Sequence, residues 1–225
     1  MSNESSVLLT VRGTYGAPSA EAARKLHNET AGSEPGIAAA RSLGDLSHKV
    51  YLPATSLGAN NGAKEGEVLF IDTWEDPSGL QKFFSDKNVQ EQGGKLFKSR
   101  DPVVWMPARG SYSFHLPAGM GKNDRYVGLL RATVRSPEDA IGEFRAMISR
   151  SIRDARRRGQ MSHELFVRLA MPGDASPPEI LGVDVWTNLE GMLAQYKEHM
   201  GLGASFAAPP TTSIWQQPEG SWSEW

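Results

Sequence analysis

The chain has 225 residues, no cysteine, a formal net charge of -2 and an apolar share of 39%. Without cysteine there are no disulfides, thiolate metal sites or thiol nucleophiles, and a near-neutral charge gives no electrostatic case for nucleic acid or an anionic membrane as partner. No apolar run approaches the roughly 20 residues of a membrane-spanning helix, and the opening "MSNESSVLLTVRG" has neither the basic start nor the apolar core of a signal peptide, so a cytoplasmic location is expected.

In chain order, "SVLLTVRG" reads as a first strand, rich in β-branched and aliphatic residues. The following "SAEAARKLHNETAGSEPGIAAARSLG" has helical character but is interrupted by Gly32 and Pro35, which predicts two short helices. A second strand starts at "GDLSHKVYL" (Gly44–Leu52), and a Gly/Asn-rich loop leads to a third, "VLFIDTW" (Val68–Trp74). A helix from Pro77 and a fourth strand at "WMPARGSY" (Trp105–Tyr112) complete the set, and "HLPAGMGKNDR" (His115–Arg125) reads as a linker. Its Gly119-Met-Gly121 lacks the strand–turn–helix context of a nucleotide-binding loop.

The same words then return. "VGLLRATV" answers the first strand, and "SPEDAIGEFRAMISRSIRDARRRG" is one long helix with a Ser N-cap, Pro at its first position and basic residues at its end. "GQMSHELFVRL" (Gly159–Leu169) repeats the Gly-x-(Leu/Met)-Ser-His of the second strand, "ILGVDVW" (Ile180–Trp186) repeats Asp-x-Trp, and "WQQPEGSW" (Trp215–Trp222) answers "WMPARGSY". Four blocks in one order mark an internal duplication. Each copy reads βαββαβ, the ferredoxin-like unit with helices on one sheet face. The fold class is therefore α+β, with tandem ferredoxin-like halves at residues 1–115 and 116–225, and the uncovered faces predict that the halves form one intramolecular α/β barrel.

The duplication repeats three polar or aromatic positions, His48, Asp72 and Trp74 in one copy and His163, Asp184 and Trp186 in the other. Alternation puts each set on one strand face. The aliphatic face of Leu69 and Ile71 is the expected helix seat, leaving the His/Asp/Trp face for the barrel interior. Centring each hairpin on its most turn-like residues pairs His48 with Trp74 and His163 with Trp186, with the aspartates at diagonal reach. A histidine held by a carboxylate serves as a general base near neutral pH. The alternative is that the histidines and tryptophans are structural, with the aspartates needing a partner in either case. Other signals are weak. "RSIRDARRRG" (Arg150–Gly159) reads as a solvated helix end, Asn28-Glu29-Thr30 is an acceptor triplet without secretory context, the five histidines show no HxH or HExxH spacing for a metal site, and there is no GxSxG elbow. The terminal "GSWSEW" either closes a sheet edge or caps a cavity mouth.

The Asp-x-Trp strand, turn and short amphipathic helix within a βαββαβ unit resemble the antibiotic biosynthesis monooxygenase family of dimeric α/β barrels, here as a fused pair. The strand-three tryptophan of that family carries over onto Trp74 and Trp186. The resemblance implies a cofactor-independent monooxygenase, using neither metal nor flavin, acting on a small hydrophobic, aromatic or polyketide-like molecule; a cofactor-free cyclase or isomerase and a non-catalytic binding or structural module are the alternatives. It also implies a pseudo-dimer within one chain, with a further homodimer left open. Haem ligation as in the haem-degrading branch is not expected, because Phe84 and Tyr196 stand where the histidine would be, and His199 has no counterpart in copy one. Nor is the asparagine of the anthrone-oxidising branch present, its place being held by Phe70 and Gly182. The copies diverge at Phe70 against Gly182, Val50 against Leu165 and Phe84 against Tyr196, which predicts the roomier pocket in copy two, beside Trp186.

Overall fold

The computed structural model describes residues 6–60, 62–115, 125–170, 173–199 and 203–225. The expected linker, with Gly119 and Gly121, lies outside the described residues over 116–124, as do residue 61 and residues 171–172 in the two expected turns. Among the described residues no helix is long and apolar enough to cross a membrane.

Two compact units are present, and neither is one continuous stretch. Unit 1 comprises the chain up to Pro53, Lys64–Trp105 and Pro218–Trp225; unit 2 comprises Ala54–Ala63 and Met106–Gln217. Unit 1 is built from β1 (Val7–Tyr15), α1 (Ala20–Glu29), α2 (Glu34–Ser42), β2 (Asp45–Pro53), β3 (Glu67–Trp74), α3 (Pro77–Ser85), α4 (Lys87–Leu96) and β4 (Phe97–Pro107). The interrupted first helical region does form two helices, each capped by a serine, Ser19 accepting from Ala22 N–H and Ser33 from Gly36 N–H. Unit 2 contains a 3-10 turn (Thr55–Asn60), β5 (Phe114–His115), β6 (Tyr126–Thr133), α5 (Pro137–Arg157), β7 (Gln160–Arg168), β8 (Glu179–Trp186), α6 (Leu189–His199) and β9 (Thr211–Gln216). Ser136 caps α5 through Asp139 N–H, with Glu138 and Asp139 in its first turn and Arg156 and Arg157 in its last.

The strand order in unit 1 is β4-β1-β3-β2, and in unit 2 β9-β6-β8-β7, with β5 added beyond β7. Position by position these are one antiparallel pattern written twice, so the chain is α+β with two tandem ferredoxin-like units. A further repeat confirms the equivalence: Arg12 forks onto Glu67 (3.2 and 2.7 Å), and Arg131 forks onto Glu179 at 2.9 Å twice.

Two expectations change. First, the hairpin registers sit two residues away: His48 faces Asp72 and His163 faces Asp184, while Asp45 faces Trp74 and Gln160 faces Trp186. A shift of two keeps every side chain on its face. The loops are long, so a turn-like centre does not set the register, and each second strand carries an irregularity near its start, between Asp45 and Ser47 and between Gln160 and Ser162. Second, the His/Asp/Trp face is the helix-covered one. Val50, Phe70 and Trp74 belong to one buried cluster with Ala23 of α1, Ala40 of α2 and Leu80 of α3, and Trp186 packs with Ala155 of α5 and Met192 of α6. Leu69 and Leu181 on the opposite face are buried as well. With both faces buried, aliphatic content does not identify the helix side.

Candidate functional site

In each unit a histidine on the second strand meets an aspartate on the third. His48 Nδ1 lies 2.6 Å from Asp72 Oδ1, and His163 Nδ1 lies 2.6 Å from Asp184 Oδ1. All four side chains are largely removed from water. Trp74 and Trp186 are buried two residues beyond each aspartate; the Trp74 indole N–H has no hydrogen-bond partner among the described residues, and Trp186 stands edge-on to Tyr196. The six positions singled out by the duplication thus form two clusters on matching frames.

Hydrogen-bond accounting separates the two. In unit 1, His48 Nε2 lies 3.0 Å from His27 Nε2 of α1, the rings only 9° from parallel. Asn28 is oriented by the chain's last residues: its Nδ2 donates to Ser221 O (2.8 Å) and its Oδ1 accepts from Ser223 N–H (2.9 Å). That oxygen is therefore the acceptor for His27 Nδ1–H at 3.1 Å. The Asp72 carboxylate likewise needs a proton on His48 Nδ1. With both Nδ1 atoms protonated, two lone pairs would face each other at 3.0 Å unless a proton lies between them. His27 is the ring that stays neutral. Burial, then the charge on His48, pushes the His27 pKa down to about 4.

In unit 2, nothing equivalent to His27 is present. His163 lines a recess, and its Nε2 makes no hydrogen bond to any described residue. Asp184 is held from three sides, by His163 Nδ1–H, by Gln160 Nε2–H (2.9 Å) and by Tyr196 O–H on its other oxygen (2.8 Å). These contacts fix the carboxylate in place, and with Nδ1 turned to it His163 presents Nε2 to the recess. Burial and the Asp184 charge hold the Tyr196 hydroxyl pKa well above its usual value, so it stays a donor.

The sequence pattern marked Tyr196 only by its difference from Phe84 and did not mark Gln160, and the room for Tyr196 comes from small changes between the copies. Gly128 occupies the position of Leu9, opposite the aspartate, and a Cβ there would lie 2.0 Å from Tyr196 Oη. Gly182 occupies the position of Phe70, where a Cβ would meet only Leu130 at ordinary distances, 3.7 and 3.9 Å. Between α5, α6 and the strands, Gly182 borders a partly enclosed cavity of about 30 Å³, lined also by Phe144, Met147, Ser151, His163, Trp186 and His199. The enclosed part holds one or two water-sized molecules; a ring system enters by displacing flexible lining such as Met147. In unit 1, Phe70 instead stands against His27 and His48 (ring centroids 5.4 and 5.0 Å).

No family model and no curated protein matches the chain. Among solved structures, an anthrone oxidase-like protein superposes with a TM-score of 0.64 at 16% identity, covering 96% of this chain and 93% of that one. A protein from Lactobacillus acidophilus named as a "putative monooxygenase" gives 0.59 at 10% identity, with 95% and 93% covered. A chlorite dismutase from Candidatus Nitrospira defluvii gives 0.54 at 12%, with 94% and 91% covered. The fold is that of the monooxygenase-like ferredoxin-fold proteins. At these identities the likeness is one of fold, and it spans both units.

Asp45, the unit 1 counterpart of Gln160, is a buried carboxyl with no partner for Oδ1 among the described residues. Burial, then the neighbouring Asp72 charge, raises its pKa from 3.8 to about 7. A raised folded-state pKa gives stability that is present below the unfolded value of 3.8 and lost as pH rises through about 7. His27 works the other way, its contribution being present above 6.5 and lost as pH falls toward about 4. Asp45→Asn removes only the first effect. Urea unfolding should show the variant equal to wild type near pH 4 and ahead of it by about 3–4 kcal/mol at pH 8; a gap independent of pH would mean that the carboxyl does not titrate in the folded state. The glycines give a second test. Gly182→Ala should change stability by less than about 1 kcal/mol, whereas Gly128→Ala should cost about 1–3 kcal/mol by driving Tyr196 from Asp184. Equal effects on the denaturation midpoint would mean that Tyr196 does not need the space Gly128 leaves.

Proposed function

We propose that the unit 2 recess is the active site of a cofactor-independent monooxygenase acting on an aromatic or polyketide-like molecule, with His163 as general base. The observation that carries this reading is the unbonded Nε2 of His163 at a cavity wall, its other nitrogen tied to an aspartate that three donors hold in place. His48 has the same aspartate partner but its Nε2 is taken by His27. The anthrone oxidase-like and monooxygenase-named neighbours support the choice of reaction class.

His163 Nε2 removes a proton from an activated methylene or hydroxyarene, and Asp184 stabilises the imidazolium formed. The apolar wall of Trp186, Phe144 and Leu130 keeps water from the electron-rich carbon. That carbon gives its electrons to O2, a C–O bond forms as a hydroperoxide, and O–O cleavage with loss of the second C–H proton leaves a carbonyl and one water. A methylene plus O2 thus becomes a ketone plus H2O, with one oxygen atom in each product.

Oxygen uptake with anthrone or a hydroquinone checks the proposal. His163→Ala should lower kcat/KM by about 10²–10⁴-fold, and Asp184→Asn should shift the acidic limb of the pH profile, where the base is protonated, to lower pH. Turnover that proceeds without O2 consumption would point to the cyclase or isomerase chemistry instead, and a fully active His163→Ala would remove the base.

A further inference from the structure

The equivalent recess of unit 1 is filled by the chain's own end. Trp222 is buried against His27 (5.4 Å between ring centroids), and Trp225 stacks on His48 at 4.7 Å and 24°. The segment lies over the site without joining a strand or helix of its own. Its hold is a short set of bonds: His48 N–H to Trp225 O (2.8 Å), Trp225 N–H to His48 O (3.2 Å), Val50 N–H to Glu224 Oε1 (2.8 Å) and the two Asn28 contacts at Ser221 and Ser223.

Three features distinguish this plug from ordinary core. In unit 2 the matching stretch pairs with β7 as β5, Phe114 opposite His163, yet a cavity remains beside the His, Asp and Trp of that frame. The Trp225 indole N–H is buried without a partner among the described residues, so the tail satisfies the recess incompletely, at the cost of one desolvated donor. An open groove of about 610 Å³, lined by α1 residues from Ser19 to Glu29, reaches the tail at Ser221 and gives a path to its edge. Beneath the indoles lies a polar floor of His48, Asp72 and His27, over which a flat ring stacks as Trp225 does and a hydroxyl would find a donor or acceptor.

We propose that the unit 1 recess is a second binding site, for a planar hydroxyaromatic molecule, which the C-terminal Trp222 and Trp225 close by occupying the ligand's place. This holds whether or not unit 2 is catalytic.

Amide hydrogen exchange on the wild-type protein tests the closure, with 1-naphthol as probe. The His48 and Val50 amides, whose acceptors come from the tail, should exchange at least 100-fold faster than the β1–β3 ladder, and saturating 1-naphthol should speed them further by holding the tail open. Exchange as slow as the ladder, or no response to 1-naphthol, overturns the proposal, because the tail is then fixed core. In Trp222→Ala/Trp225→Ala the number of 1-naphthol molecules bound should rise by one over its parent, whatever unit 2 binds. That added site should prefer 1-naphthol to naphthalene at least 10-fold; equal affinity would mark a featureless cavity and also overturn the proposal.

Discussion

The His–Asp contact between the second and third strands is the constraint around which each unit is arranged. A carboxylate taken out of water must be paired and hydrogen-bonded or it will take up a proton, and both units place an imidazole N–H 2.6 Å from it. The contact also fixes the hairpin register, since it requires His48 opposite Asp72 and His163 opposite Asp184. What differs is how the remaining polar valences are met. Unit 1 satisfies the far imidazole nitrogen with His27, whereas unit 2 satisfies the far carboxylate oxygen with Tyr196. One choice closes the relay upon itself, and the other leaves a basic nitrogen facing a cavity.

The divergence between the copies follows from a few exchanges on one frame. Leu9 and Phe70 against Gly128 and Gly182 decide whether the space beside the aspartate is filled. Asp45 against Gln160 decides whether the neighbour of the aspartate repels or donates to it. Phe84 against Tyr196 exchanges an apolar ring for one carrying a hydroxyl. A duplication inside a single chain permits this, because a substitution in one copy does not appear in the other.

Much of the fold was legible in the amino-acid order. The repeated Ser-His and Asp-x-Trp words located four strands and the candidate clusters, and Gly32 and Pro35 foretold the split of the first helix into α1 and α2. The helix-facing side was not legible, because Leu69 and Phe70 are both apolar and both buried. The register was displaced because long loops do not pin a hairpin as a two-residue turn does. His27 escaped notice for a different reason: it lies on a helix, has no counterpart in the other copy, and joins its cluster only through tertiary packing; Tyr196 stood out against Phe84, but its bond to Asp184 did not. The glycines at 128 and 182 offered a usable signal, since a strand interior rarely gives up a side chain without something else using the space.

The attachment of Pro218–Trp225 to unit 1 bears on how the chain is made. His48 is synthesised well before its backbone partner Trp225, so the two ends of that contact are separated by most of the described polypeptide. Closing so long a loop is entropically slow and comes late. Until Pro218–Trp225 is made, the emerging first unit carries an uncovered imidazole pair and a bare strand edge at His48 and Val50, the kind of surface that recruits wrong neighbours. Maturation of the N-terminal unit is thereby tied to the arrival of a segment that follows the whole of the second.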